Sequence, residues 1–482
     1  MAVWPLWSAR FPPMQDYPQH LFQAQVLRAY KDATFDYNQN FEVHLKPVYA
    51  SFYLTTVFFS WLLPIEIAGK LSLTLYPILI AIIVVRLGRR LGREVAPWGA
   101  LLFFPLAFNQ QYFLGNVNYF LALPILILTL LDYEDFLDGT LGAWPIVRHF
   151  LWLAALFITH PFTLIVYVPM AVVAAFIARR RTTEFKIKAL ISLSLAILLL
   201  VASWIISNVT TSPEYPAAPG MTWLSLKNTV EFFALMFNGM QGLGHADYVA
   251  LILWGSVIAV VLGALIANWR ERSRLPLLYV VLLISTILGL IILPFRIGSY
   301  TYINLRISAI IYFLIALLAA QVRFRGWRLY SLIGLLSLLM LNSAVKQARI
   351  SSEIKEIVPI VSRIPSNSRI LPLVFDNDSP ELDRAWFDIH LHDHNYYHIL
   401  VGGGFNPYLP EAPLNPVHYR KGLERPAPGE YQPDRFFWTD EAADYQYFLI
   451  RGEPNWVDEY MSRTYTKACV SGGWTLFERK LQ

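Results

Sequence analysis

Between about residues 48 and 345 the chain alternates long apolar runs with short basic or Pro/Gly-rich loops. About 20 consecutive apolar residues cross a bilayer as one helix. Read that way, spans are predicted over about 48–63 (ended by Pro64), 65–87, 95–108, 112–131, 187–206, 248–267, 275–293, 302–320 and 327–344. A further run over 149–178 is interrupted at His160-Pro161, so it is one kinked helix or two short ones. The pattern predicts an α-helical polytopic membrane domain over 48–345 with about ten or eleven transmembrane helices. Residues 1–47 are polar and aromatic, with a short amphipathic helix expected over 21–30, on the membrane surface or packed on the bundle. After residue 345 polar residues dominate. Runs at 370–375 and 445–450 read as strands, and Gly472-Gly473 as a turn before a last strand over 474–478. A mixed α/β soluble domain is therefore expected over 346–482, long enough for its own core.

Composition and charge sharpen this picture. The chain is 56% hydrophobic and 15% charged, where soluble domains carry about 25% charge. The net charge of +5 is spread in small clusters between apolar runs, which is a topology signal and not a nucleic-acid surface. Arg179–Arg181, Arg270–Arg274 and Arg323–Arg328 fit cytoplasmic loops, which leaves the domain after residue 346 extracytoplasmic. The cluster Arg86, Arg89, Arg90, Arg93 conflicts with an exterior N-terminal segment if both 48–63 and 65–87 span. One of the two must then be non-spanning, or the cluster breaks the rule. No charged start followed by an apolar core marks a cleavable signal peptide, so insertion is expected to rely on the spanning helices. The single cysteine, Cys469, forms no internal disulfide or Cys-based metal motif and is expected as a small buried residue.

Several polar residues stand in places where chemistry needs them. Asp16 and His20 lie four residues apart in Gln15-Asp16-Tyr17-Pro18-Gln19-His20. Asp16 either caps the helix that Pro18 opens or works at the mouth of a membrane cavity. There it would accept a proton from a hydroxyl or hold a divalent metal ion that neutralises a phosphate. Asn116 and Asn118 interrupt an apolar helix on different faces, as helix–helix contacts or as cavity lining. His160 is an intramembrane histidine at a helix break. Arg296 and Arg306 flank Tyr300–Asn304 near a helix end, suited to a phosphate or to interfacial snorkelling. In Asp388-Ile389-His390-Leu391-His392-Asp393-His394, with His398, alternating histidines on a strand would share one face, and His390, His394 and His398 would share a helical face; either arrangement is able to bind zinc, or they cluster on a solvated surface, the simpler reading.

The stretch Pro12-Pro13-x-x-Asp16-Tyr17-Pro18-x-His20-Leu21, with Lys46-Pro47-Val48-Tyr49 and Leu87-Gly88-Arg89-Arg90-Leu91-Gly92, resembles the GT-C superfamily of membrane glycosyltransferases. The resemblance is to its bacterial, polyprenyl-phosphate-sugar-dependent branch. It implies a GT-C-like bundle in a bacterial plasma membrane that moves a sugar from a polyprenyl-phosphate donor to an extracytoplasmic acceptor. It implies catalysis by Asp16, with His20, Asp36 and Glu42 as weaker candidates, and donor phosphate contact by Arg296 or Arg306. Asn116, Asn118 and His160 are the further candidates for substrate binding. The family has a transmembrane helix before this loop, and this sequence starts almost inside it. A non-catalytic subunit scaffolding a larger membrane complex is the second reading. A transporter is the third, disfavoured because one broken helix has no second copy.

Overall fold

The computed structural model describes residues 3–91, 98–139, 142–177, 182–209, 220–238, 248–267, 277–297, 301–381, 387–409, 414–423, 429–438 and 444–480. The basic clusters at 179–181 and 270–274 lie outside them. The first part comprises α1 (Trp4–Ser8), α2 (Tyr17–Ala29), α3 (Tyr37–Asn40), β1 (Phe41–Val43), α4 (Ser51–Ser60) and α5 (Ile65–Leu91). The helical bundle continues through α6 (Phe103–Ala107), α7 (Gln110–Phe113), α8 (Val117–Asp138), α9 (Ala143–Thr159), α10 (Pro161–Ile177) and α11 (Thr183–Val209). It is completed by β2 (Met221–Thr222), α12 (Leu226–Asn238), α13 (Tyr248–Ala267), α14 (Leu277–Ile292), β3 (Arg296–Ile297), α15 (Ile303–Ala320) and α16 (Trp327–Ile354). Then follow α17 (Val358–Val361), β4 (Ile370–Val374), α18 (Tyr396–Leu400), β5 (Val417–Tyr419), β6 (Tyr447–Arg451), α19 (Asn455–Met461), β7 (Tyr465–Ser471) and β8 (Trp474–Arg479).

Among the described residues, five helices are long and apolar enough to cross a membrane: Ile65–Arg90, Thr183–Ile206, Tyr248–Ala267, Ile303–Ala320 and Trp327–Val361. Several other apolar runs are shorter or more broken than the hydropathy suggests, whereas α8 runs unbroken for 22 residues. The expected span over 48–63 is the ten-residue α4, about 15 Å at 1.5 Å per residue, half of a hydrocarbon core. It does not cross. It folds back on α5, with Thr56 Oγ1 donating to Ser72 Oγ at 2.9 Å. An α4 too short to span fits the first of the two alternatives for the arginine cluster, of which Arg93 lies outside the described residues. The expected helix over 95–108 is a 3-10 turn at Trp98–Leu102 followed by the short α6 and α7. It runs from the end of α15, where a Cβ on Gly99 would lie 2.0 Å from the Ala319 carbonyl, to Phe113, whose carbonyl accepts from Gln15 N at 2.8 Å. The run over 149–178 is two helices, α9 and α10, folded back on each other at His160 so that Tyr167 Oη meets His149 Nε2 at 3.2 Å.

Two ends of the bundle are distinguished by chemistry. At one, Arg86 reaches Asp132 at 3.5 Å, Arg90 pairs with Glu134 and Asp135, and Arg148 pairs with Asp132 at 2.6 Å. These pairs tie α5, α8 and α9 together. The other end gathers Asp16, Asn116, His160 and Arg306 beneath the C-terminal residues.

The C-terminal sheet has order β4-β6-β8-β7, with β4 parallel to β6 and the remaining pairs antiparallel. Alternate residues of a strand face opposite sides. Leu371, Leu373, Phe448, Ile450 and Phe477 enter one core with Phe22, Val26, Tyr37 and Phe41 of the N-terminal segment. Ile370, Leu449, Trp474 and Leu476 join the core that runs into the bundle. Both faces are covered, which explains the continuous apolar run of β4. The N-terminal segment and the C-terminal region are thus one packed cap: β1 pairs with β5, and Asp36 Oδ1 accepts from Gly404 N at 2.6 Å. Helix α2 is not a surface helix. Eleven of its thirteen residues are buried between bundle and sheet. Cys469, on β7, is half-buried.

Candidate functional site

Asp16 stands at the first turn of α2, where Pro18 fits because a proline lacks the N–H that would go unpaired there. Its carboxylate makes no capping hydrogen bond. Instead Oδ1 lies 3.1 Å from His392 Nδ1, and a third of the side chain stays exposed. The backbone beneath is held like a strand edge: Gln15 N donates to Phe113 O at 2.8 Å and Asp16 N to Leu114 O at 3.2 Å. This close approach requires Gly115, which has φ +84° and where a Cβ would sit 2.5 Å from Asp16 N.

The carboxylate opens into a cavity of about 460 Å³. Asn116 enters from the start of α8, Thr301, Tyr302 and Arg306 from the start of α15, and Asp388, His392, Glu430 and Tyr431 from the C-terminal region. Tyr302 adopts φ +60°, a left-handed conformation costly for a bulky residue. Arg306 carries the site's unspent charge. Its Nε is buried without a hydrogen-bond partner, and among the described residues its guanidinium makes no ion pair. It lies over the Tyr119 ring, 6.0 Å from its centroid.

His392 is the residue that sequence reasoning missed at this site. The stretch Asp388–His394 was expected on a solvated surface or at a zinc site. It is buried, and its histidines face different partners. His390 lies between Asp393 at 2.7 Å and Glu353 at 3.3 Å. His394 Nδ1 faces the Leu391 carbonyl, and His398 Nδ1 faces the Gly403 carbonyl at 2.8 Å. His392 Nδ1 donates to the Gln15 carbonyl at 3.2 Å while its Nε2 faces Glu430 Oε2 at 3.4 Å. Burial opposes charge on this ring, but Asp16 and Glu430 outweigh it and raise its pKa to about 10. Burial and the carboxylates of Asp378 and Asp16 raise the pKa of Asp388. Among the described residues no group of three or more His, Cys, Asp or Glu is arranged to hold a metal ion.

The other predicted residues lie outside the cavity wall. His20 is buried behind it, with Nδ1 2.7 Å from Tyr53 Oη and its pKa lowered by burial to about 4. Asn118 is spent on structure: Oδ1 accepts from Ser51 Oγ at 3.0 Å and Phe52 N at 2.9 Å, and Nδ2 donates to Tyr49 O at 3.0 Å. His160 ends α9 and accepts from Phe162 N at 3.3 Å, packed against Tyr49 and Tyr119. Arg296 sits on β3, opposite Thr222. Asp36 caps backbone in the cap, as above, and Glu42 is on β1 near His44.

No family model matches the sequence, and no curated protein matches it. Among solved structures, the chain is similar to ArnT from Cupriavidus metallidurans bound to undecaprenyl phosphate. The TM-score is 0.55 at 9% identity, over 98% of this chain and 95% of that one. The chain therefore has the fold of the GT-C superfamily of membrane proteins. The mycobacterial arabinofuranosyltransferase AftD aligns with a TM-score of 0.47 at 12% identity, over 100% of this chain and 39% of its own.

Proposed function

We propose that this chain is a membrane glycosyltransferase that moves a sugar from a polyprenyl-phosphate donor to a hydroxyl acceptor. The observation that carries this reading is one cavity holding both the Asp16 carboxylate and the unpaired guanidinium of Arg306. An arginine fork suits a phosphate, and a carboxylate within reach of an acceptor hydroxyl suits a general base. Both stand at one end of an apolar bundle, where a lipid tail stays in the bilayer while its head enters the cavity. The fold shared with a chain solved with undecaprenyl phosphate is consistent with such a donor.

In this reading Asp16 takes the acceptor's proton as the acceptor oxygen forms a bond to the anomeric carbon. The bond from that carbon to the phosphate oxygen breaks, and its electron pair leaves with the polyprenyl phosphate, which Arg306 neutralises. Asn116, Gln15, Gln19, Tyr302 and Tyr431 supply the amides and rings that a sugar contacts. Taking the Arg86–Arg90 end as cytoplasmic by the positive-inside rule, this reading puts the cavity and the cap over it on the extracytoplasmic side of a bacterial plasma membrane.

The test is turnover by the purified chain in lipid nanodiscs, supplied with radiolabelled undecaprenyl-phosphate sugars and membrane-derived acceptors. The Asp16→Asn variant, which keeps size but loses basicity, should fall by at least about a hundredfold. Equal turnover by the variant and the parent would remove the reading.

A further inference from the structure

Glycosyl transfer as proposed uses Asp16 and Arg306 and leaves His392 without a task. Yet, among the described residues, His392 joins the cap's own sheet-bearing region to the Asp16 carboxylate. Its ring is 4% exposed, with Nδ1 3.1 Å from Asp16 Oδ1 and Nε2 3.4 Å from Glu430 Oε2. Neither contact is local: Asp16 precedes His392 by hundreds of residues, and Glu430 lies on a separate loop. The ring is fixed in plane by a third contact, to the Gln15 carbonyl at 3.2 Å. Gln15 is held in turn by Asp388 N, which donates to its Oε1 at 2.8 Å. The charged or titratable groups around the ring are Asp16, His20, Asp388, His394 and Glu430.

We propose that His392 is a positioning residue for Asp16, a side chain that bridges Asp16 to Glu430 and holds the Asp16 carboxylate aimed into the cavity. The inference rests on the glycosyl-transfer reading and adds a role for the C-terminal region: it completes the active site. Of the two carboxylates on the ring, Asp16 is the one left a third exposed, whereas Glu430 is 13% exposed. Burial and the neighbouring imidazolium keep His394 neutral, its pKa held well below the usual histidine range. Burial likewise holds His20 at about 4. His392 is therefore the charged histidine beside Asp16 at neutral pH, sustained by two carboxylates against its own burial.

The experiment compares pH profiles of turnover for the parent, His392→Gln, His392→Lys and Glu430→Gln in the same nanodisc assay. Loss of the cation in His392→Gln should lower kcat about 10- to 100-fold at pH 7. The KM for the lipid donor should stay within about threefold, because Arg306 is untouched. His392→Lys restores a cation and should return kcat toward the parent. Glu430→Gln, on a loop remote from the core, serves if the His392 variants do not fold. It removes one of the ring's two anions, so the alkaline limb of kcat should move down by about one pH unit or more. A kcat unchanged in His392→Gln, or an alkaline limb unmoved in Glu430→Gln, overturns the proposal while Asp16→Asn remains inactive. Full turnover by Asp16→Asn instead overturns the glycosyl-transfer reading, and this role with it.

Discussion

A guanidinium and a carboxylate in one cavity make different demands, and each is met by a different piece of chain. Arg306 projects from the second turn of α15, anchored by its own backbone N–H to Tyr302 O at 3.0 Å, and its carbonyl accepts from Tyr119 Oη. The backbone is held on both sides while, among the described residues, the charged head makes no ion pair. That pattern separates Arg306 from Arg296, which the sequence could not do because both flank the same short stretch. We expect Arg306→Gln to weaken binding of undecaprenyl phosphate at least about tenfold, since a hydrogen bond to a charged group contributes about 1.5–3 kcal/mol. Arg296→Gln, on β3 away from the cavity, should leave it within about twofold. Microscale binding in detergent measures both, and an equal loss in the two variants would assign the phosphate elsewhere.

At the scale of elements, α4 explains both what the sequence made legible and what it hid. Hydropathy found the apolar run, but a window average does not see that Pro64 and the Ser60–Pro64 turn end the helix after ten residues. Length decides between spanning and surface helices, and α4 has half the length required. Phe58, Trp61 and Leu62 at its far end remain exposed, Leu62 at 90%, as expected of an aromatic edge at a membrane interface. What fixes α4 is Asn118, whose amide receives the first hydrogen bonds of the helix and returns one to Tyr49 O. The polar residue was visible in the sequence as a cost inside an apolar helix. Its partner was not, because nothing local links residue 118 to residues 49–52. Asn118→Ala leaves those buried groups unpaired and should destabilise the protein by about 1–3 kcal/mol, read as a lowered unfolding midpoint with donor binding per folded molecule unchanged. A variant with unaltered midpoint and lost binding would return Asn118 to the cavity wall.

The same distinction runs through the whole site. The GT-C layout, the strands at 370–375, 445–450 and 474–478, and Asp16 with Arg306 all carry a local or compositional signal. The pairing of Asp16 with His392 does not: it depends on the cap folding residues 15–43 and 371–477 around one core. A cluster of histidines at two-residue spacing was noticed, but spacing alone cannot say that each ring faces a different partner. Burial then reverses their roles, leaving His20 and His398 neutral and His392 charged.

For the whole molecule, this division of histidines predicts a stability that falls on both sides of neutral pH. His390 and His392 have pKa values raised in the folded state, His392 to about 10, because burial is outweighed by Asp393 and Glu353 for one and by Asp16 and Glu430 for the other. Their contribution is fully present below the unfolded value of about 6.5 and is lost as pH rises through the folded values. In that window the native state holds protons the unfolded chain has released, so stability declines with pH by at most about 1.4 kcal/mol per unit for each ring. His20 and His398 are depressed by burial to about 4. Their unfolded forms take up protons first as pH falls below about 6.5, so stability declines on the acid side through about pH 4. The bridges join different parts: His390 ties the cap to Glu353 at the end of α16, and His392 ties it to the start of α2. The alkaline arm should therefore report loosening of the cap from the bundle. We expect the unfolding midpoint in detergent to be highest near pH 6.5 and to fall steadily toward pH 9. In His390→Gln and His392→Gln the midpoint at pH 6.5 should be lower and the alkaline slope shallower, by about one ring's share each. A parent midpoint that holds level or rises from pH 7 to 9, or variants that keep the parent's slope, would mean that these imidazoliums do not fasten the cap.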